Sequence, residues 1–226
     1  MKNILITGHS KGIGKLLTDG FLQKGFYVTG IARTKITEHN NLIQLSYDLS
    51  IADDIAEACR KIEIQRFDIV ILNAGYNDIK PPESYSIDEI IGIYNVNLTA
   101  QAALLRACIP GLINNKGWIF GIGSYSGISV SRWNNFYGSA KAGLQHLLQN
   151  IFEQYRKQGI RVTTVIPDIV NTTFYNHQQF IPEQDESTFI KPEEIAEMII
   201  NIVSNPPDYV PLEMVIRPQK FGLKRK

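Results

Sequence analysis

The chain has 226 residues, of which 44% are hydrophobic and 20% charged, enough apolar material for a folded core and too much for a long disordered protein. Its 23 basic and 22 acidic residues leave a formal net charge of +1, which excludes a strong polyanion-binding footprint, so no nucleic-acid partner is expected. No run approaches the ~20 uninterrupted apolar residues that cross a bilayer, and the opening Ile4-Leu5-Ile6 meets Gly8 too soon for a signal-peptide core. Cys59 and Cys108 stand apart, in neither a metal nor a redox spacing, so a reducing cytoplasmic setting without a metal is expected.

Strand-like and helix-like segments alternate. Asn3 to Ile6 reads as a first strand, Ile13 to Lys24 as a helix, Tyr27 to Ala32 as a second strand and Leu42 to Tyr47 as a third. Ser50-Ile51-Ala52-Asp53 has the pattern of a helix start, with a capping hydroxyl and an acid three residues on. Ile69 to Leu72 is continuously apolar, as a parallel strand covered on both faces must be. Trp118 to Ile122 and Arg161 to Ile166 are further strands, separated by helices near Val96 to Asn114 and Phe136 to Lys157. Pro192-Glu193-Glu194 opens a last helix, and Glu213 to Ile216 reads as a last strand. This order predicts an α/β fold over 1–226: a single doubly wound, Rossmann-type parallel sheet with helices on both faces. Ligands then lie beyond the strand ends, just after Ile6, Ala32, Leu72, Ile122 and Ile166.

The first of these places holds Thr7-Gly8-His9-Ser10-Lys11-Gly12-Ile13-Gly14. Glycines between a strand and a helix allow a tight turn and let a phosphate approach the free N–H groups and positive dipole of the helix start. The second strand ends in Ala32-Arg33-Thr34, with no acid for ribose hydroxyls. Arg33 and Lys11 are cations suited to a 2′-phosphate, which favours NADP(H) over NAD(H).

Tyr137 and Lys141 are four apart at the start of a helix, hence on one face. Tyr76 and Lys80 have the same spacing but run into Pro81-Pro82, where no helix can hold them. A cation 5 to 6 Å from a phenol, at an effective dielectric of ~20, favours the phenolate by roughly 3 kcal/mol and lowers its pKa from near 10 to about 8. Such a phenol is a usable general acid near neutral pH. Ser124 closes the fifth strand, where its hydroxyl can donate to an oxygen gaining negative charge.

Taken in order, Thr-Gly-x-x-x-Gly-x-Gly, Asn73-Ala74-Gly75, Asn97, Ser124 and Tyr137-x-x-x-Lys141 resemble the short-chain dehydrogenase/reductase family from Thr7 to about Thr172. The resemblance implies an NADPH-dependent oxidoreductase acting on a small-molecule carbonyl or alcohol. Tyr137 would donate the proton, Lys141 shift its pKa and bind ribose, Ser124 hold the carbonyl oxygen, and Asn97 support a proton relay. It further implies that Gly8, Ser10, Lys11, Gly12, Ile13 and Gly14 cradle the cofactor and that Asp48 meets the adenine. Asn73, Ala74 and Gly75 line its site, Val170 and Thr172 hold the carboxamide, and the protein is a homo-oligomer through the two long helices flanking the fifth strand.

Asp168 departs from the family, which has glycine after the proline of Pro167-Asp168-Ile169-Val170-Asn171-Thr172; an aspartate tolerates positive φ, so the turn is expected to survive with it. Residues 174–190 occupy the place of a substrate-covering lid, and Phe174, Tyr175 and Phe180 with Tyr125 and Trp133 form a candidate aromatic pocket. His177 reads as a solvated loop residue, and Lys220, Lys224, Arg225 and Lys226 as a solvated basic tail. The competing reading is a non-catalytic NADP(H) sensor or interaction protein, motivated by Asp168 and the short segment after Pro192.

Overall fold

Ile69-Val70-Ile71-Leu72 is buried along its whole length, and that burial comes from its place in the middle of the sheet. The computed structural model describes residues 2–130, 134–176 and 178–225; Trp133, His177 and Lys226 lie outside them. Strands β1 (Asn3–Thr7), β2 (Tyr27–Ala32), β3 (Leu42–Ser46), β4 (Ile69–Leu72), β5 (Trp118–Ile122), β6 (Arg161–Pro167) and, after a short β7 (Phe180–Pro182), β8 (Glu213–Ile216) include seven in one sheet. Its order is β3-β2-β1-β4-β5-β6-β8 and every pairing in it is parallel. The direction of winding reverses between β1 and β4, which opens a crevice at their C-terminal ends.

Helices cover both faces. On one lie α1 (Gly12–Gln23) and α6 (Pro192–Ser204), which bury Leu17, Phe21, Ile195 and Ile199 against Ile4, Ile6, Ile71 and Phe120. On the other lie α2 (Ala52–Glu63), α4 (Ala100–Asn115) and α5 (Asn135–Tyr155), with Ile55, Leu104 and Leu144 among the core residues packed with Leu5, Val70 and Ile119. Side chains alternate between these two cores along β1, β4 and β5, which is why their sequences are apolar without a gap.

The helix before β5 differs from the expected Val96 to Asn114. A separate α3 (Ile87–Tyr94) precedes it, joined by a π-helical turn at Asn95–Thr99. Ser86 and Glu89 form a reciprocal capping box: Glu89 N donates to Ser86 Oγ (3.2 Å) and Ser86 N to Glu89 Oε2 (2.7 Å). The run Ile87–Asn115 is by length and composition apolar enough to cross a membrane. Here Leu104, Leu105, Cys108 and Leu112 of that run are core residues.

Two further expectations are corrected. Ser50 does not cap α2; Ile51 holds the cap position, and the Ser50 hydroxyl donates to Asp48 Oδ1 (2.7 Å). Among the described residues, Lys116 alone of the non-glycines has positive φ, so Asp168 sits in its turn without left-handed backbone. The basic tail is exposed at Lys220, Lys224 and Arg225, as expected, and it is also ordered: β9 (Leu223–Arg225) pairs antiparallel with β7, and Lys220 Nζ reaches Asp185 Oδ2 (3.3 Å).

Candidate active site at the C-terminal edge of the sheet

One cleft of about 1200 Å³ runs along the C-terminal ends of the strands, from Lys11 and Arg33 at one side to Phe180 and Phe221 at the other. All the site residues expected from the sequence line it except Gly14 and Asn97, which stand just behind its wall.

The glycine turn is shaped for close approach. Gly8 has φ +69°, and a Cβ there would lie 2.9 Å from Asn73 Nδ2. A Cβ on Gly14 would lie 2.1 Å from Gly8 O, so the first turn of α1 can fold back on the end of β1 only with glycine. Asn73 Nδ2 pins this turn by donating to Thr7 O (2.9 Å) and Gly8 O (3.2 Å), and Asn73 and Ala74 N–H groups both donate to Thr7 Oγ1 (2.9 Å). Among the described residues no side chain caps α1, and no acid stands in its first turn. The helix start therefore faces the cleft with its N–H groups open to an anion, as a dinucleotide pyrophosphate requires. Thr172, in the loop after β6, closes over this turn: its Cγ2 lies 3.5 Å from where a Gly12 Cβ would stand. Val170 bridges to Ile190 and anchors the same loop.

Toward the β2 end, Arg33 is 76% exposed and stands 3.8 Å from Asp48. Burial disfavours the ionised Asp48, but Ser50 N–H (2.9 Å) and hydroxyl bonds and the Arg33 charge hold its carboxyl below the ordinary range. Ser10 Oγ meets Thr34 Oγ1 at 3.4 Å.

Tyr137 and Lys141 project from the first turns of α5, and the Lys141 Nζ lies 5.8 Å from the centroid of the phenol ring. Ser124, at the end of β5, hydrogen-bonds the Tyr137 hydroxyl. Lys141 is 2% exposed and its Nζ donates to Ile122 O (2.8 Å). Asn97, in the π turn, is fully buried; its Nδ2 donates to Tyr76 O (2.6 Å) and Ile93 O (2.8 Å), and its Oδ1 accepts from Tyr76 N (3.3 Å). A Cβ on Gly75 would stand 3.2 Å from Asn97 Oδ1 and 3.4 Å from Lys141 Nζ, so both side chains converge behind Gly75. The decoy pair, Tyr76 and Lys80, lies in irregular chain, with Lys80 bonded to Glu89 (2.6 Å).

The electrostatics reverse the expected phenol shift. Burial pushes Tyr137 up to about 12, against the opposing Ser124 hydrogen bond, and burial alone pushes Lys141 down to about 8. The physical reason is that both groups share one desolvated wall, and removing each from water costs more than the lysine charge returns to the phenolate across that distance. At neutral pH the phenol is therefore protonated, a donor held beside a hydroxyl.

Two residues escaped the sequence reading. His9 is fully buried: its Nε2 lies 3.2 Å from Gln44 Oε1, and a Cβ on Gly30 would stand 2.3 Å from the imidazole ring. It braces the glycine turn against β2 and β3, a pairing of large and small residues with no local signature. Arg217 follows β8 and pairs with Asp168 (3.0 Å). Its position, one residue past a strand end, was the available clue.

A family model described as short chain dehydrogenase matches residues 2–181. Uncharacterized oxidoreductases of Staphylococcus epidermidis and Staphylococcus aureus strain MW2 are similar, at 23% and 26% identity over 96% of this chain and 97% of theirs. An alcohol dehydrogenase from Thermococcus sibiricus complexed with 5-hydroxy-NADP superposes with TM-score 0.84 at 23% identity, covering 97% of this chain and 98% of that one. A 4-hydroxyisoleucine dehydrogenase complexed with NADH gives 0.83 at 23% identity, covering 96% and 98%. These likenesses carry the fold, and the family match spans the glycine turn, the serine and the tyrosine–lysine pair together: this chain belongs to the short-chain dehydrogenase family of oxidoreductases.

Proposed function

We propose that this protein is an NADPH-dependent reductase of carbonyl compounds, with Tyr137 as proton donor. The observation that carries the reading is the Tyr137 hydroxyl, protonated at neutral pH, hydrogen-bonded to Ser124 and set beside Lys141 in the middle of a cleft whose glycine turn suits a dinucleotide.

The glycine turn from Gly8 to Gly14 would hold the pyrophosphate, with Ser10 and Ile13 in its wall. Arg33 and Lys11, both exposed at the cleft, would meet the 2′-phosphate, and Asp48 the adenine. The preference for NADPH rests on these two cations, since relatives appear with both NADP- and NAD-type cofactors. Asn73, Ala74 and Gly75 form the wall behind, and Val170 and Thr172 suit the carboxamide. When bound, the reduced nicotinamide supplies hydride.

This chain's own groups do the rest. Ser124 donates to the carbonyl oxygen and orients it toward Tyr137. As charge builds on that oxygen, the phenol gives up its proton, and the Lys141 cation stabilises the phenolate left behind. Asn97 fixes the loop at Tyr76 and so the wall against which Lys141 packs. Partly exposed apolar side chains on α4 (Ile109, Ile113) and α5 (Ile151, Phe152) support a homo-oligomer through those helices, which a light-scattering mass of a single chain would refute.

The test is a Tyr137→Phe variant. It should bind NADPH, read by nicotinamide fluorescence, and lose NADPH oxidation on every carbonyl compound the parent reduces. Turnover retained in that variant would reject the assignment. Tight binding with no turnover by the parent on a broad carbonyl panel would instead favour a nucleotide sensor.

A further inference from the structure

Among the described residues, four cations line the cleft, and they divide by place. Lys11 and Arg33 belong to the glycine-turn end and Lys141 to the wall behind Tyr137, while Arg217 stands at the end of β8. Arg217 is held on three sides. Its Nε donates to Asp168 Oδ2 (3.0 Å), its Nη1 to the Tyr125 hydroxyl (3.2 Å), and its guanidinium carbon lies 4.0 Å from the centroid of the Tyr125 ring. Nη2 makes no protein hydrogen bond among the described residues, and the side chain is 49% exposed whereas its Asp168 partner is 13% exposed. The carboxylate thus sits behind the guanidinium and occupies Nε, leaving the far edge open to the cleft.

That edge belongs to the reacting end. Tyr125 directly follows Ser124 in the chain. Tyr175 stands near both Tyr137 and Asp168, its phenol kept from ionising chiefly by burial. Phe174, whose ring centroid is 5.8 Å from that of Tyr137, and Phe180 and Phe221 add apolar surface to the same end of the cleft. A guanidinium fixed by stacking and two hydrogen bonds has already lost most of its rotamer freedom, so it binds a planar anion at small entropic cost. A neutral ketone has no use for it.

We propose that Arg217 is an anion anchor and that the substrate is an oxo acid: its carboxylate rests on the open guanidinium edge while its carbonyl meets Ser124 and Tyr137. This deepens the reductase reading and rests on it. The oxo acid takes up two electrons and two hydrogens, one as hydride at the carbonyl carbon from the reduced nicotinamide and one as the Tyr137 proton at oxygen; solvent reprotonates the phenol. The product is the hydroxy acid, with its carboxylate unchanged.

The experiment compares short oxo acids, with the carbonyl at successive positions, against their methyl esters, in the parent and in Arg217→Met and Arg217→Lys variants whose folding is checked by thermal melting. For the best substrate the parent should favour acid over ester in kcat/KM by about tenfold or more, the size of a lost charge-assisted hydrogen bond. In Arg217→Met that ratio should fall toward one, chiefly through KM, and Arg217→Lys should keep part of it. A parent that reduces esters as well as acids, or a ratio that survives in Arg217→Met, overturns the anchor. If neither acids nor esters are reduced, the reductase reading falls separately, and calorimetric titration with butyrate and butyramide decides the anchor alone. Butyrate binding that exceeds butyramide binding in the parent and disappears in Arg217→Met sustains it; equal or absent binding ends it.

Discussion

Lys141 and Tyr137 share one wall of the cleft, with the ammonium 5.8 Å from the phenol ring, and burial drives both toward their neutral forms. The pair is thus a strained electrostatic arrangement. The protein holds a cation at a place where it would be more stable without one, beside a phenol that is a weak acid until charge develops on a neighbouring oxygen.

The cost of that cation is measurable. Lys141 has its folded pKa near 8, below the ordinary lysine value of 10.5, so below pH 8 the folded state carries the full burden of the buried charge. Between pH 8 and 10 the folded lysine releases its proton while the unfolded one keeps it, and stability rises with pH. Lys141→Met should remove this rise and be more stable at pH 7 by about 1–3 kcal/mol, the burial cost of the charge less the lost bond to Ile122 O. Denaturant titrations of both proteins at pH 7 and pH 9.5 test it; a variant less stable at pH 7 would contradict the buried-charge account.

Catalysis should lose what stability gains. If the ammonium stabilises the phenolate that forms as Tyr137 gives up its proton, kcat/KM for reduction should hold through neutral pH and fall as pH passes about 8. Tyr137 itself, near 12, should not titrate in this window. A rate profile flat to pH 10 would remove Lys141 from the reaction.

Cofactor choice should follow one side chain. Arg33→Asp places a carboxylate where a 2′-phosphate is expected, beside Asp48 3.8 Å away from the present guanidinium. The ratio of Kd for NADPH to Kd for NADH should rise by about tenfold or more, on the scale of a charge-assisted contact turned repulsive. An unchanged ratio would mean that the phosphate is not read at this position.

Gly14→Ala tests the turn. The added methyl would stand 2.1 Å from Gly8 O and 2.5 Å from Asn73 Nδ2, and the Gly8 atom is backbone that cannot swing aside. A loss of about 1–3 kcal/mol of stability is expected from such overpacking, with weakened NADPH binding. Gly12→Ala meets only the Thr172 side chain at 3.5 Å, so its penalty should come from its positive φ of +51° and be smaller. Thermal melting of the two variants should rank them in that order.

Much of this site is legible in the sequence. Strands β2, β5 and β8 begin and end where their apolar runs do, and Tyr137 falls on a helix start because nothing in Asn135 to Tyr155 breaks the pattern. The capping box of Ser86 and Glu89 was equally visible and would have started the helical run at Ile87 rather than at Val96. The π turn that seats Asn97 was not, since it depends on packing rather than on composition.

What the chain order determined by itself was the winding of a parallel sheet and the chemistry at its strand ends, because periodicity, turn residues and capping act over a few neighbouring positions. Tertiary structure alone decided which distant groups meet and how wet they are. Arg217 finds Asp168 and Tyr125 from 49 and 92 positions away, β9 pairs with β7, and His9 fills the space that Gly30 leaves. The direction of the Tyr137 shift belongs to the same class: spacing fixes how near the lysine stands, but desolvation, a property of everything packed around the pair, decides which form each group takes.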